Sequence, residues 1–337
     1  MNFRVDRWSA MALRSSLVTL TTVSALLLTS CGGGGQSSQT NRFNPTRMIV
    51  FGDESSLLLP GSTPTAIDGR KYTNNGFDYL VTNSVIDCNE NRLWVQRLAD
   101  EYELVFAECN PGGVTPTAQM RATVGGKVAD VVAAIDAFLA STPGNQPVPT
   151  DMITMMVGTN DILELYTSVS TSALTQAAAV AEIERRGELL AAQINRLTNN
   201  SNTLGRVMYS TVPRVSLTPF GRSKSPADQS LLELLTDRFN DSMRRQVRIN
   251  GRSLGFLDTS QTFTNVVDDV DDGGRPNGII NVSVPVCNVA ILSCTPLTLV
   301  SGGTINNHLW ADDIRFSYAG HIFIGDDAVD LATSLPW

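Results

Sequence analysis

The segment that decides the fold is Met48 to Leu57, which reads Met-Ile-Val-Phe-Gly-Asp-Glu-Ser-Ser-Leu. Four apolar residues running into Gly-Asp predict a buried β-strand that ends in a tight turn. The polar run after the glycine predicts the first turn of a helix. In an open α/β sheet, ligands and catalytic groups lie at the carboxyl ends of the strands. Chemistry is therefore expected at Asp53 and Glu54.

The rest of the chain continues this alternation of apolar strands and amphipathic helices. Further strands are predicted at 104–107, 152–157, 206–212 and 255–258, and helices at 91–102, 128–139, 175–197, 230–247 and 318–333. The stretch 268–304, rich in Gly, Asn and Pro, predicts a long irregular excursion. The order of elements predicts one α/β domain over residues 47–337, with a doubly wound, three-layer α/β/α architecture and a mostly parallel sheet.

The N-terminus has the order of parts of a secretory signal. Three arginines precede a mostly apolar run from Leu17 to Leu28, and Leu-Thr-Ser-Cys follows at residues 28–31. The run is too short for a spanning helix, and its end resembles a bacterial lipobox. We therefore expect residues 1–30 to be a signal peptide and Cys31 to carry lipid. Gly32 favours the outer membrane, and residues 31–46 are expected to form a flexible tether.

Lipidation of Cys31 would leave an even number of cysteines, Cys88, Cys109, Cys287 and Cys294. In an oxidising envelope compartment, these predict two disulfides between sequence neighbours, Cys88 with Cys109 and Cys287 with Cys294. No Cys-x-x-Cys occurs and the chain has 2 histidines, so neither a zinc site nor another cofactor is expected. The net charge of −8 argues against nucleic acid as a partner.

Two later motifs would supply hydrogen-bond donors at the same sheet edge. Gly125-Gly126 lies between a predicted strand and a helix, where a backbone N–H can point outward, and Asn160 follows the strand 152–157. Ester hydrolysis needs such donors for an oxyanion, together with an activated nucleophile and an oriented imidazole. Considered on its own, the glycine pair would be interpreted as allowing close packing of the backbone. Asn160 alone would be interpreted as a helix cap.

In this order the motifs resemble blocks I, II and III of the GDSL (SGNH) hydrolases, a family of lipases and esterases. Additional similarities extend over most of the chain, at residues 94–99, 210–213, 218–219, 239–240 and 278–282. The resemblance implies the α/β fold predicted above and hydrolysis of acyl or acetyl esters. It also implies that Gly126 and Asn160 hold the oxyanion.

The chain departs from this family at two of the three catalytic positions. The family's nucleophilic serine directly follows Gly-Asp, where this sequence has Glu54. Its last block, Asp-x-x-His, matches Asp312 followed by Arg315, when the later Gly320-His321 is aligned. Arginine stays protonated at any working pH and cannot act as a general base. Conventional triad catalysis is therefore not expected.

We interpret these departures as one coupled change. If the fold brings the nucleophile and base positions within hydrogen-bond reach, Glu54 and Arg315 form an ion pair with Asp312 beside it. At a helix start, free N–H groups would also favour the Glu54 carboxylate. That carboxylate could further reach Asn160 and Gly126 and fill the place of a substrate acyl group.

Two rival hypotheses use neighbouring residues. An active esterase could use Ser55 as nucleophile, with His308 or His321 as a relocated base, although a shift of one residue turns the side chain about 100° on a helix. Alternatively, a set of carboxylates could bind a divalent cation or run acid/base chemistry, although turn and capping roles are the plainer explanation. That set is Asp53, Glu54, Asp161, Asp312 and Asp313.

The sequence therefore predicts an envelope lipoprotein with a GDSL/SGNH-like fold and a degenerate site, acting in binding or in a structural role. An acyl ester, a glycan or a peptidoglycan fragment is the ligand class considered for its cleft. The membrane, reached through Cys31, is its expected partner.

Overall fold

The computed structural model describes residues 43–78, 85–141, 147–198 and 205–334. The predicted signal peptide, Cys31 and most of the predicted tether lie outside these residues. Five parallel strands form the central sheet: β1 (Arg47–Gly52), β4 (Ala118–Met120), β5 (Asp151–Met156), β6 (Arg206–Ser210) and β7 (Leu254–Leu257). Their order in space is β4-β1-β5-β6-β7. A separate antiparallel pair consists of β2 (Gly76–Phe77) and β3 (Ile86–Asp87).

Helices cover both faces of this sheet. They are α1 (Trp94–Glu101), α2 (Val128–Leu139), α3 (Thr159–Ser170), α4 (Gln176–Thr198), α5 (Pro219–Arg222), α6 (Pro226–Gln246), α7 (Thr259–Asp271) and α8 (Tyr318–Thr333). Side chains of β1 alternate between two cores, because successive residues of a strand point to opposite faces. Met48 and Val50 pack with α1, α7 and α8, while Ile49 and Phe51 pack with α2, α3, α4 and α6. The predicted three-layer α/β/α fold is confirmed.

Both predicted disulfides are present. Cys88 and Cys109 have their Cα atoms 5.7 Å apart, and the Cα atoms of Cys287 and Cys294 are 5.6 Å apart. The first joins the loop before α1 to the loop before β4, and the second closes a short loop in the irregular excursion. Among the described residues, no helix combines the length and apolar character that a membrane span requires.

Two sequence predictions of secondary structure are wrong. The helix expected after Gly52 is a turn, in which the N–H of Ser56 donates to Asp53 O and that of Leu57 to Glu54 O. It does not continue because Leu58 forms an antiparallel bridge with Lys71. The strand expected at 104–107 is reduced to a bridge between Phe106 and Ala118, since the chain turns there towards the Cys88–Cys109 disulfide.

The sequence prediction also missed elements. The strand β4, which lies at one edge of the sheet, and the helices α3 and α7, which follow β5 and β7, were not predicted. The irregular excursion consequently starts after α7 ends at Asp271 rather than at Asp268, and within the described residues its only helical parts are short 3-10 turns at Pro276–Gly278 and Ile291–Ser293.

The glycine that ends β1 permits the close approach of β1 and β5. A Cβ atom on Gly52 would overlap the carbonyl oxygen of Met156, the last residue of β5. Only glycine avoids this overlap, so the two strands end side by side. The turn that carries Asp53 and Glu54 therefore lies next to the start of α3.

Candidate active site

The site lies at the carboxyl ends of β1 and β5. Glu54 stands in the turn after β1, and Asn160 is the second residue of α3, which begins directly after Gly158. Gly158 adopts φ +137°, and a Cβ there would overlap the ring of Phe239. This conformation lets α3 start at the sheet edge with the amide of Asn160 directed at the turn.

The Glu54 carboxylate is buried and accepts three hydrogen bonds. Its Oε2 accepts from the backbone N–H of Gly125 (2.8 Å) and from Nδ2 of Asn160 (3.1 Å). Its Oε1 accepts from Nη2 of Arg315 (2.8 Å). The Glu54 side chain is only 7% exposed. Burial of a carboxylate is tolerated when it is both paired and hydrogen-bonded, as it is here.

Arg315 links this carboxylate to a second one. Its Nη1 donates to Oδ2 of Asp312 (2.7 Å), while Oδ1 of Asp312 accepts the backbone N–H groups of Ile314 (2.9 Å) and Arg315 (2.6 Å). Its guanidinium carbon lies 5.2 Å from the centre of the Tyr72 ring. Burial opposes the charge of Arg315, but the carboxylates of Asp312 and Glu54 together raise its pKa above the ordinary value. The predicted ion pair, with Asp312 beside it, is present.

One predicted donor is replaced by its neighbour. The N–H of Gly126 donates to Thr123 O (3.1 Å) and not to Glu54, whereas Gly126 O accepts from Asn160 Nδ2 (3.2 Å). Gly125 has φ +67°, with no atom close to where a Cβ would stand. This left-handed backbone directs the N–H of Gly125 at the carboxylate. The Gly-Gly pair predicted an outward-pointing backbone N–H at this place in the sequence. It did not show which of the two amides has that orientation.

The cleft above the strands is nearly filled. Its walls include the apolar side chains Pro213, Val215, Trp310, Ile314 and Phe316. The cavity volume open to the centre of a water molecule is about 10 Å³, which is room for about one water. The Glu54 carboxylate accepts the hydrogen bonds of Gly125 and Asn160 at this cleft.

Asp53, next to Glu54, is buried, and it forms no ion pair within the described ranges. Its Oδ1 accepts the backbone N–H of Ser55 (2.9 Å), and the residue is 1% exposed. Burial, reinforced by the charge of Glu54, raises the pKa of Asp53 to about 7. The turn thus holds one carboxyl group that is half protonated near neutral pH and a second that is bound to a guanidinium.

The geometry does not support the rival nucleophile. Ser55 lines the cleft, but neither histidine, both of which lie in the described part of the chain, hydrogen-bonds a serine through its ring. His308 Nδ1 contacts Oδ1 of Asn307 (2.7 Å). His321 is buried in α8 against Phe316, and burial together with the charge of Lys71 lowers its pKa to about 3.

The remaining carboxylates have separate structural roles. Asp161 accepts the N–H of Val128 at the start of α2 (3.1 Å) and pairs with Arg186 (3.0 Å). Burial nevertheless raises its pKa. Asp313 is exposed. Across the described ranges, no group of three or more His, Cys, Asp or Glu side chains is arranged to hold a metal ion.

A double-mutant cycle measures the Glu54–Arg315 pair. We expect Glu54→Gln and Arg315→Met each to lower the free energy of unfolding, because each leaves a buried group without its partner. The coupling energy should be about 2 kcal/mol, less than for a fully buried pair since Arg315 is 27% exposed. The exposed pair Arg92–Asp100 serves as the control, with a coupling below about 0.5 kcal/mol in urea unfolding. Equal couplings for the two pairs would contradict the interpretation.

The raised pKa of Asp53 predicts a pH-dependent stability. Between about pH 4 and 7 the folded chain holds a proton that the unfolded chain has lost, so this group makes the free energy of unfolding fall as pH rises. Above about pH 7 the effect is constant. Asp53→Asn should therefore gain stability relative to wild type across this window, by up to about 4 kcal/mol.

His321 has the opposite slope between about pH 3 and 6.5, but it is present in both proteins and cancels in the difference. Urea unfolding at half-unit pH intervals gives that difference. A constant difference from pH 4 to 7.5 would show that Asp53 ionises normally.

Comparisons with known proteins show likeness at low identity. No family model matches the chain, and no curated protein matches its sequence. Among solved structures, it is similar to a member of the lipolytic G-D-S-L family from Veillonella parvula, with 12% identity, TM-score 0.40, and 85% of this chain and 97% of that chain covered. A lipase from a goat rumen metagenome gives 11% identity and TM-score 0.45, with 86% and 98% covered. Phospholipase A1 from Streptomyces albidoflavus gives 13% identity and TM-score 0.42, with 86% and 100% covered.

Proposed function

We propose that this chain is an envelope lipoprotein that keeps a GDSL/SGNH-like hydrolase scaffold without its hydrolytic activity, and that it acts through binding or as a structural component. The observation that carries the proposal is the Glu54 carboxylate, bound by Gly125, Asn160 and Arg315. The donors that would stabilise an oxyanion are already engaged, and the position that would hold a base carries a permanent cation.

The contacts around Glu54 also limit access to its carboxylate. Its Oε2 accepts from Gly125 and Asn160, and its Oε1 accepts from Arg315. The cleft beside it has room for about one water, so an ester could not approach the turn without displacing the pair. An acyl ester, a glycan or a peptidoglycan fragment would have to bind outside this closed centre.

An active esterase remains the alternative function, because Ser55 lines the same cleft. It requires a base that the described contacts do not supply, since the ring of His308 contacts Asn307 and that of His321 is buried. We therefore favour the inactive form.

The test is hydrolysis of short p-nitrophenyl esters by the purified chain and by a variant that restores the triad. We expect no turnover above the buffer rate for wild type. Glu54→Ser with Arg315→His should raise the rate at least roughly tenfold, because Gly125 and Asn160 become free and the Asp312 turn is already held by two backbone N–H groups. Adding Asn160→Ala should lower the restored rate about 100-fold.

Controls separate the possible outcomes of this experiment. Ser55→Ala should leave the wild-type baseline unchanged, and the same substitution in the restored variant should have little effect. Turnover by wild type that disappears in Ser55→Ala would refute the inactive form and establish the alternative. Circular dichroism of each variant reports whether the fold is retained.

Anchoring through Cys31 is part of the proposal and has its own test. The order of an arginine-bearing segment, an apolar run and Leu-Thr-Ser-Cys supports it. In cells given a labelled fatty acid, we expect the chain to take up label and to fractionate with the outer membrane. Cys31→Ala should abolish labelling, whereas Cys88→Ala, which affects a disulfide cysteine, should not. Label retained in Cys31→Ala would contradict lipidation at this site.

A further inference from the structure

The irregular excursion carries an unusual surface. No Asp, Glu, Lys or Arg occurs between Pro276 and Ala311, although charged residues make up 17% of the chain. Four of its large apolar side chains are nevertheless exposed, and we call these the apolar patch: Ile280 (49%), Val284 (45%), Val289 (42%) and Leu297 (71%). Neighbouring apolar exposure on a stretch without charge marks an interaction surface.

The segment that bears the apolar patch is held in place by backbone hydrogen bonds and a disulfide. The N–H of Val286 donates to Trp310 O (2.9 Å), and the N–H of Leu309 donates to Asn281 O (3.0 Å). The Cys287–Cys294 disulfide closes the loop, and Cys287 forms an antiparallel bridge with Leu299. Extending this register puts Val289 opposite Leu297, in agreement with the hydrogen bond from Asn288 N to Thr298 O (2.9 Å). The exposed side chains are therefore presented in fixed positions.

We propose that the apolar patch docks on the surface of a phospholipid bilayer. The stretch that carries it has no charged residue from Pro276 to Ala311, so insertion among the acyl chains desolvates no ionised group of that stretch. Arg70 lies at its rim and donates to Leu292 O, and Arg222, which donates to Ser283 Oγ (3.5 Å), also pairs with Asp271 (2.7 Å). Guanidinium groups at the edge of an apolar surface can contact lipid phosphates while the apolar side chains enter the interface.

The chain before the described residues favours a bilayer over other partners. This choice rests on the proposed lipidation of Cys31. Between Cys31 and Phe43 the chain can span at most about 40 Å even when fully extended, so an anchored domain stays within one molecular width of the lipid. An anchored domain held this close meets the bilayer at a high effective concentration, and weak apolar docking of the patch would then suffice to orient it.

The test is partitioning to vesicles of phosphatidylcholine and phosphatidylethanolamine, followed by co-sedimentation. The protein is the mature chain from residue 31 with Cys31→Ser, so that no acyl chain contributes and every variant shares one N-terminus. We expect wild type to bind, and Leu297→Glu and Val284→Glu each to weaken binding roughly tenfold. The matched control is Ile249→Glu, which adds the same charge at an apolar side chain that is 84% exposed in the loop before β7 and should change binding less than twofold.

Each other outcome overturns the proposal. Equal vesicle binding of wild type and Leu297→Glu would exclude the apolar patch as the binding surface. Equal losses of vesicle binding in Leu297→Glu and Ile249→Glu would indicate a general effect of the added charge. If wild type ignores vesicles but self-associates in sedimentation equilibrium, and Leu297→Glu abolishes that association, the patch is an interface between copies. Ester hydrolysis and fatty-acid labelling are measured separately, so failure of the proposed function is distinguishable from failure of the docking.

Discussion

The buried carboxylate of Glu54 is the constraint on which the site depends. Its three hydrogen bonds come from the turn before α2, the start of α3 and the loop before α8, so one side chain joins segments that are far apart in sequence. An ionised group in this position is stable only while every donor stays in place. The geometry of the sheet edge and the charge of Arg315 therefore support each other.

The two departures from the triad are best understood as a single step. A glutamate alone at position 54 would bury a negative charge beside two amides, and an arginine alone at 315 would place a cation against Asp312 without a second anion. Breaking such a pair costs several kcal/mol, whereas the matched pair is close to neutral. The opposite charges of the two residues therefore explain why each is stable only in the presence of the other.

Sequence patterns predicted the framework because its strands are long, apolar and buried, as in β1 and β5, and because the four cysteines lie in two local pairs. The same alternation predicts the acid at the sheet edge, whereas the placement of Arg315 beside it came from the resemblance to the GDSL/SGNH blocks. Shorter signals failed. The three residues of β4 are too few to show a hydrophobic periodicity. No helix was predicted at α3, although Ile162, Leu165 and Tyr166 have helical spacing. Which amide of Gly125-Gly126 points outward is decided by a backbone angle that composition does not encode.

The need of two N–H donors for an acceptor explains why position 54 has a carboxylate and not an apolar side chain. The fold directs the N–H of Gly125, an exposed residue, and the amide of Asn160 at one point. With an alanine at 54 and an aliphatic side chain at 315, water would have to replace the carboxylate at the N–H of Gly125, whereas Asn160 would keep its hydrogen bond to Gly126 O. One carboxylate oxygen accepts from both donors at once, and its charge then requires a cation within reach. Asp312, held by its own turn, fixes that cation in place, so the residues around Glu54 together select the ion pair that the site contains.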